Sequence, residues 1–128
     1  MVIATATPTF YLMAVTRTDL LELHEHVTDL AFRTMQAKNN DYASTKDALY
    51  NLRQCEMLGL CSVEAGILIR MTDKISRLTR YTQTGVVAVQ SESIEDTVVD
   101  LVNYSVLLLA AINDKRAAHD ETASSRQA

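Results

Sequence analysis

Apolar residues recur at spacings of three and four along four stretches of the chain, which predicts four amphipathic helices. The first helix is expected over residues 19–37, with Thr16 or Thr18 as its N-cap. Its apolar stripe consists of Leu20, Leu23, Val27, Leu30, Ala31 and Met35. After an Asn- and Asp-rich break, the second helix is expected over residues 45–58, and Gly59 is expected to end it.

The third helix is expected over residues 62–81 and the fourth over residues 93–113. The apolar stripe of the third helix consists of Ile67, Leu68, Met71, Ile75 and Leu78. Ser93 and Asp96 form a capping box at the start of the fourth helix, which is apolar around most of its circumference. Such a helix is central in a fold or lies in a subunit interface. We therefore predict an all-α four-helix bundle that assembles as a homodimer or homotetramer.

The two ends of the chain differ from the helical part. Residues 1–16 carry no charged side chain, which predicts an uncharged N-terminal arm. Residues 114–128 are charged and aperiodic, which predicts a disordered tail. The all-helical domain is thus expected over residues 17–113. The N-terminus lacks the basic region of a secretory signal, and the apolar run over residues 105–112 is too short for a membrane span. We expect a cytoplasmic protein without a membrane partner.

The composition narrows the class of ligand. A chain of 128 residues suffices for one domain, and its net charge of −4 argues against a nucleic-acid polymer as the partner.

Cys55 and Cys61 are six residues apart and would point to nearly opposite sides of one continuous helix. We therefore expect them to be small buried apolar residues rather than a disulfide or metal ligands.

A basic stripe runs along the third predicted helix, at spacings that place its members on one face. The stripe consists of Arg70, Lys74, Arg77 and Tyr81, and Asp73 and Arg80 flank it. Guanidinium and ammonium groups in a row suit phosphate recognition, although a solvated helix face has the same pattern. The aromatic rings that lie near charged motifs could stack on a base or simply pack in the fold; these are Tyr42, Tyr81 and Tyr104.

An acidic face runs along the fourth predicted helix and consists of Glu92, Asp96, Asp100 and Asn103. Like charges four residues apart destabilise a helix, so this face needs a compensating partner. Three partners remain open: the facing basic stripe in interhelical ion pairs, a hard cation such as Mg²⁺, or a mixed phosphate-binding site. The chain has no glycine-rich phosphate loop, nucleophile elbow or Cys–His pair, so a covalent nucleophile is not indicated.

Four segments, in this order and spacing, resemble the nucleotide modification associated domain, a small all-helical family common in phage genomes. They begin with Lys38-Asn-Asn-Asp-Tyr and continue with residues 66–78, residues 92–101 and the pair Asn103-Tyr104. The family is itself similar to the MazG-type and dimeric dUTPase-type pyrophosphatases, which bind Mg²⁺ through two acidic pairs. On that resemblance the metal ligands would be Glu92, Asp96 and Asp100, with Asp73 nearby, but the first acidic pair has no counterpart.

The resemblance implies a nucleotide ligand, held by Lys38, Asp41, Tyr42, Arg70, Asp73, Lys74, Arg77 and Tyr104. Because the metal constellation is incomplete, it favours binding without hydrolysis. By analogy, a phage protein of this kind would sequester a nucleotide signal, such as a cyclic dinucleotide, in the cytoplasm of its bacterial host as an anti-defence measure. The alternatives are a Mg²⁺-dependent nucleoside triphosphate pyrophosphohydrolase, and a helical interaction module whose charge stripes are structural.

Overall fold

The computed structural model describes residues 14–41, 46–87 and 91–127, and over these residues the fold is all-α, as predicted. Its elements are α1 (Arg17–Asp41), a 3₁₀ turn (Tyr50–Arg53), α2 (Gln54–Met57), α3 (Val63–Thr84) and α4 (Ile94–Gln127). Residues 1–13 of the predicted N-terminal arm lie outside the described residues. Within the described ranges, no helix combines the length and the apolar character that crossing a membrane would require.

α4 is the central helix of the fold. It packs against both α3 and α1, which have no close backbone contact with each other in the part of the chain that the structure describes. The 3₁₀ turn and α2 pack against the start of α3. The core where these elements meet consists of the buried residues Leu49, Val63, Ile67 and Ala111, surrounded by Leu52, Met71, Tyr104, Leu107 and Leu108.

The predicted cap of α1 is present, and α3 is capped as well. The Thr16 hydroxyl accepts a hydrogen bond from the Asp19 N–H at 3.1 Å, and the Asp19 carboxylate accepts one from the Thr16 N–H. The Ser62 hydroxyl accepts a hydrogen bond from the Ala65 N–H at the start of α3. α3 ends later than predicted, at Thr84, and the positive φ of 67° at the next residue, Gly85, allows the Gly85 N–H to bond back to the Tyr81 carbonyl.

The second predicted helix is much shorter than expected, because the described chain is helical only from Tyr50. The Asp47 carboxylate accepts a hydrogen bond from the Leu49 N–H at 3.0 Å, and the Tyr50 N–H bonds to the Asp47 carbonyl at 3.1 Å. An aspartate that bonds to the backbone two residues later favours a turn over a helix. The expected end at Gly59 is confirmed, with a positive φ of 72°.

The predicted disordered tail is instead a continuation of α4 as far as Gln127. Two ion pairs hold the segment just beyond the predicted end at Asn113: Asp114 with Arg53 at 3.1 Å and Lys115 with Glu64 at 3.1 Å. Beyond them the side chains are exposed, but the segment contains Ala, Arg, Glu and Gln, which all favour helix. The aperiodic polar sequence over residues 116–127 thus lies on an exposed part of α4.

The inward face of α3 also differs from the predicted apolar stripe. Ile67 is fully buried and Met71 and Leu78 are half-buried, but Leu68 is 50% exposed and Ile75 is 53% exposed. Their places toward α4 are taken by Lys74 and Arg77, which are half-buried. The basic stripe is therefore part of the α3–α4 contact and not a fully solvated face.

The capping box of α4 gives a testable stability prediction. The Ser93 N–H donates to the Asp96 carboxylate at 2.9 Å, and the Ser93 hydroxyl accepts from the Asp96 N–H at 3.0 Å. We expect Ser93→Ala to lower the free energy of unfolding by about 1 kcal/mol at neutral pH, measured by urea denaturation. If the free energy of unfolding falls by less than a few tenths of a kcal/mol, the cap is not needed in this helix.

The same cap predicts a pH dependence. The Ser93 N–H and hydroxyl hold the pKa of Asp96 below its usual value, so the ionised cap stabilises the fold above the unfolded-state pKa. This stabilisation is lost as the pH falls through the lowered pKa. Asp96→Asn should therefore weaken the fold at neutral pH and differ little from the parent protein in strong acid. Glu95→Gln, which removes a charge from the same turn but no part of the cap, is the control.

Candidate functional site

A central cleft of about 300 Å³ opens where α1, the 3₁₀ turn, α3 and α4 come together. Its lining is a mixture of apolar, amide and charged side chains: Met35, Lys38, Asn39, Ala48, Asn51, Leu52, Arg70, Asp100, Asn103, Tyr104 and Leu107. Leu52, Tyr104 and Leu107 also pack on the hydrophobic core, so the core supports the cleft from behind. The cleft therefore combines a rigid apolar base with polar walls.

The charged part of the cleft is organised around Asp100. Its carboxylate lies 2.7 Å from the Lys74 ammonium and 3.7 Å from the Lys38 ammonium. The side chains of Lys74 and Asp100 are only 17% and 23% exposed, so this pair is shielded from solvent far better than a surface ion pair. Two cations around one carboxylate leave this group of three with a net positive charge.

Arg70 is the second cationic group of the cleft and, unlike the lysines, has no counter-charge within the described ranges. It is exposed, it lines the cleft, and among the described residues it makes no ion pair or side-chain hydrogen bond. A guanidinium is always charged and its planar fork matches two oxygens of a phosphate. Arg70 is therefore available to a ligand without first breaking a contact within the protein.

The wall that carries Asn51 and Leu52 is fixed by Arg53. The Arg53 guanidinium donates to the Asp47 carboxylate at 2.6 Å and to the Asp114 carboxylate at 3.1 Å, which ties the 3₁₀ turn to α4. The hydrogen bond from Arg53 and one from the Leu49 N–H hold the pKa of Asp47 below its usual value. The two acidic partners in turn raise the pKa of Arg53.

The acidic face of α4 is divided among three separate roles. Glu92 forms an ion pair with Arg77, Asp96 belongs to the helix cap, and Asp100 binds the two lysines. Across the described ranges, no three His, Cys, Asp or Glu side chains are grouped closely enough to hold a metal ion. The geometry therefore favours interhelical ion pairs over the alternative of a metal site formed by Glu92, Asp96 and Asp100.

The members of the basic stripe of α3 lie at two separate clefts. Arg70 lines the central cleft, and Lys74 reaches it through Asp100. Arg77 instead lines a second cleft of about 310 Å³ at the other end of the α3–α4 contact, together with Ser76, Arg80, Tyr81, Val86, Val87 and Ile94. Asp73 is exposed and lines neither cleft. The stripe is thus shared between two concave surfaces.

The remaining predicted site residues divide into two groups. Lys38 and Tyr104 line the central cleft. Tyr42 and the side chain of Asp41 lie outside the described residues. The cleft also contains residues that the sequence reasoning missed, above all Asn51 and Leu52, whose spacing matches no motif and which only the fold brings to Arg70.

The lining limits what chemistry the central cleft can perform. It offers cations for phosphate, amide groups that donate and accept hydrogen bonds, and the ring of Tyr104. Asp100 is the one carboxylate among the described lining residues, and none of these residues is Ser, Thr, Cys or His. Groups of this kind can hold a polar anionic ligand, but they do not include a nucleophile beside a base.

Comparison with known proteins adds one match. A family model described as nucleotide modification associated domain 1 matches residues 38–112, which is more than half of the chain. The matched range contains every described lining residue of the central cleft except Met35. No curated protein and no solved structure shows significant similarity to the chain.

Proposed function

The chain belongs to the nucleotide modification associated domain 1 family, and we propose that its central cleft binds the phosphate of a nucleotide and leaves the ligand intact. The observation that carries this proposal is Arg70, whose guanidinium lines the cleft and has no ion-pair partner among the described residues. Lys38 adds a second, largely exposed ammonium at the same wall. Asn39, Asn51 and Asn103 supply the donors and acceptors that a base or ribose requires.

Binding without cleavage is supported by how the carboxylate of the cleft is used. Cleavage of a polyphosphate requires metal ions to neutralise charge on the transferring group, and these ions are held by several carboxylates. Asp100 is the one carboxylate among the described residues that line the central cleft. Its charge is already neutralised by Lys74 and Lys38. A phosphate that binds here is held by cations of the protein.

We further propose that the protein sequesters a nucleotide signal, such as a cyclic dinucleotide, in a bacterial cytoplasm as a phage anti-defence function. The cleft volume of about 300 Å³ is at the lower end of small-molecule pockets and suits one nucleotide unit. A ligand with two such units would need two clefts. A homodimer or homotetramer would provide them.

Assembly is supported by apolar side chains that the single chain leaves in solvent. Leu23 on α1 is 53% exposed, Leu68 on α3 is 50% exposed and Leu109 on α4 is 56% exposed. Residues 17–26 of α1 are exposed on every side, although a helical segment this short is marginal in water when nothing packs against it. Light scattering at micromolar concentration should give the mass of two or four chains, and a monomer would contradict this proposal.

A ligand panel tests the binding function. The protein is incubated with nucleoside mono- and triphosphates and with cyclic dinucleotides, in Mg²⁺ and in EDTA. Calorimetry reports binding, and chromatography reports the fate of the ligand. We expect binding in EDTA and recovery of intact ligand in both buffers. Loss of ligand that depends on Mg²⁺ would overturn the proposal in favour of a pyrophosphohydrolase.

Arg70→Ala is the variant that locates the site. A charge-assisted hydrogen bond contributes about 1.5–3 kcal/mol, so we expect the Kd of the nucleotide found in the panel to rise about ten- to a hundredfold. Arg80→Ala is the matched control, because Arg80 is exposed on the same helix but lies at the second cleft. An unchanged Kd for Arg70→Ala, or an equal loss in both variants, would place the ligand elsewhere.

A further inference from the structure

Cys55 and Cys61, the two cysteines of the chain, lie on opposite sides of a tight turn between α2 and α3. Gly59 takes a positive φ of 72°, and the N–H groups of Leu60 and Gly59 bond to the carbonyls of Cys55 and Glu56, each at 2.9 Å. This is the hydrogen-bond pattern of a Schellman motif. The Cys61 N–H reaches the Cys55 carbonyl at 3.4 Å. The expectation that the cysteines point apart assumed one continuous helix and is wrong, because the chain turns at Gly59.

The side chains of both cysteines converge on Gly66 of α3. A Cβ atom placed on Gly66 would lie 3.7 Å from the Cys61 Sγ and 4.0 Å from the Cys55 Cβ. α3 therefore presents no side chain at the point where the two cysteine side chains approach it. Burial, followed by the interaction with the neighbouring Cys55 thiol, raises the pKa of Cys61. The side chains of Cys55 and Cys61 thus lie on the same side of the turn, against Gly66.

The turn is open to small reagents. Cys55 and Cys61 are half-buried free thiols, and Leu58 and Leu60 on the turn between them are 71% and 73% exposed. A small disulfide can approach from this side. The same segment continues back through α2 to Asn51 and Leu52, which line the central cleft.

We propose that Cys55 and Cys61 are a redox modification site that closes to an intramolecular disulfide by exchange with a low-molecular-weight disulfide such as oxidised glutathione. One cysteine thiolate attacks a sulfur of the reagent and releases a thiolate, and the second cysteine then attacks the mixed disulfide and releases the other. Two protein thiols are oxidised, one reagent disulfide is reduced to two thiols, and the two cysteine protons pass to those products. The new bond ties α2 to the segment that leads into α3.

The decisive measurement compares the folded chain with the same chain unfolded in urea. Each is equilibrated in buffers of reduced and oxidised glutathione, free thiols are blocked with iodoacetamide, and the intramolecular disulfide is quantified by intact mass. Because the native turn holds the thiols together, we expect the equilibrium constant for closure to be at least about tenfold higher in the folded chain. An equal or lower constant in the folded chain, or accumulation of glutathione adducts or disulfide-linked dimers, would overturn the proposal.

Cys55→Ser and Cys61→Ser serve as matched controls, since each leaves a single thiol. Both should stop at the mixed disulfide with glutathione under conditions in which the parent chain closes. Their stability does not affect the main comparison, which uses the unmodified sequence. The readout is thiol content, so it does not depend on whether the central cleft binds a nucleotide.

Discussion

Ile67→Ala is expected to lower the free energy of unfolding by about 3 kcal/mol, the largest effect that we predict for a single substitution. Ile67 is fully buried at the centre of the cluster formed by α3, α4 and the 3₁₀ segment. Removing most of its side chain loses the transfer free energy of the deleted groups and leaves a cavity that the surrounding residues fill only in part. Urea unfolding followed by circular dichroism measures this loss.

The matched control for this substitution is Ile69→Ala, because Ile69 lies on the same helix but is 60% exposed. We expect this change to alter the free energy of unfolding by less than about 0.5 kcal/mol. Both variants must be compared at one protein concentration, since assembly would make stability depend on concentration. Equal losses for the two variants would mean that Ile67 is not in the core, or that Ile69 is buried in an assembly.

Asp100→Asn is expected to lower the free energy of unfolding by about 2 kcal/mol. The substitution keeps the shape of the side chain but leaves the Lys74 ammonium, which is only 17% exposed, without its charge partner. An unpaired charge in a poorly solvated position is costly even where the intact pair contributes little. The double variant Lys74→Met/Asp100→Asn should therefore recover part of the loss, which a double-mutant cycle measures.

Asp29→Asn provides the same chemical change in a solvated pair. Asp29 and Arg33 form an ion pair within α1, and their side chains are 56% and 63% exposed. Exposed pairs of this kind contribute about 0.5 kcal/mol or less, so Asp29→Asn should have little effect. If Asp100→Asn lowers the free energy of unfolding no more than Asp29→Asn does, the Lys74–Asp100 pair is well solvated in solution.

The helical elements follow closely from local patterns in the sequence. α3 and α4 begin at Ser62 and Ser93, as capping residues followed by an apolar repeat predict. The second predicted helix starts later than expected because the Asp47 carboxylate bonds to the Leu49 N–H and forms a turn. Apolar periodicity alone could not show this, because it does not report where a polar side chain competes with the backbone.

The predicted ligand-binding residues were only partly brought together. Lys38, Arg70 and Tyr104 line one cleft, whereas Arg77 lies at the other end of the α3–α4 contact and pairs with Glu92. Spacing along a helix shows which residues share a face. It does not show which neighbour meets each residue, and here α1 and the 3₁₀ turn cover only the part of the face around Arg70.

Residue order and spacing were thus sufficient for the all-α class, the family, the helix caps and the position of the acidic and basic stripes, because each depends on contacts within a few residues or on a linear motif. Which charged residues pair with each other depended on long-range packing. Asp100 became the partner of two lysines because α4 lies between α1 and α3. Cys55 met Cys61 because a left-handed glycine reversed the chain between them. Side chains far apart in sequence, or separated by a turn, acquire neighbours only when the backbone has packed.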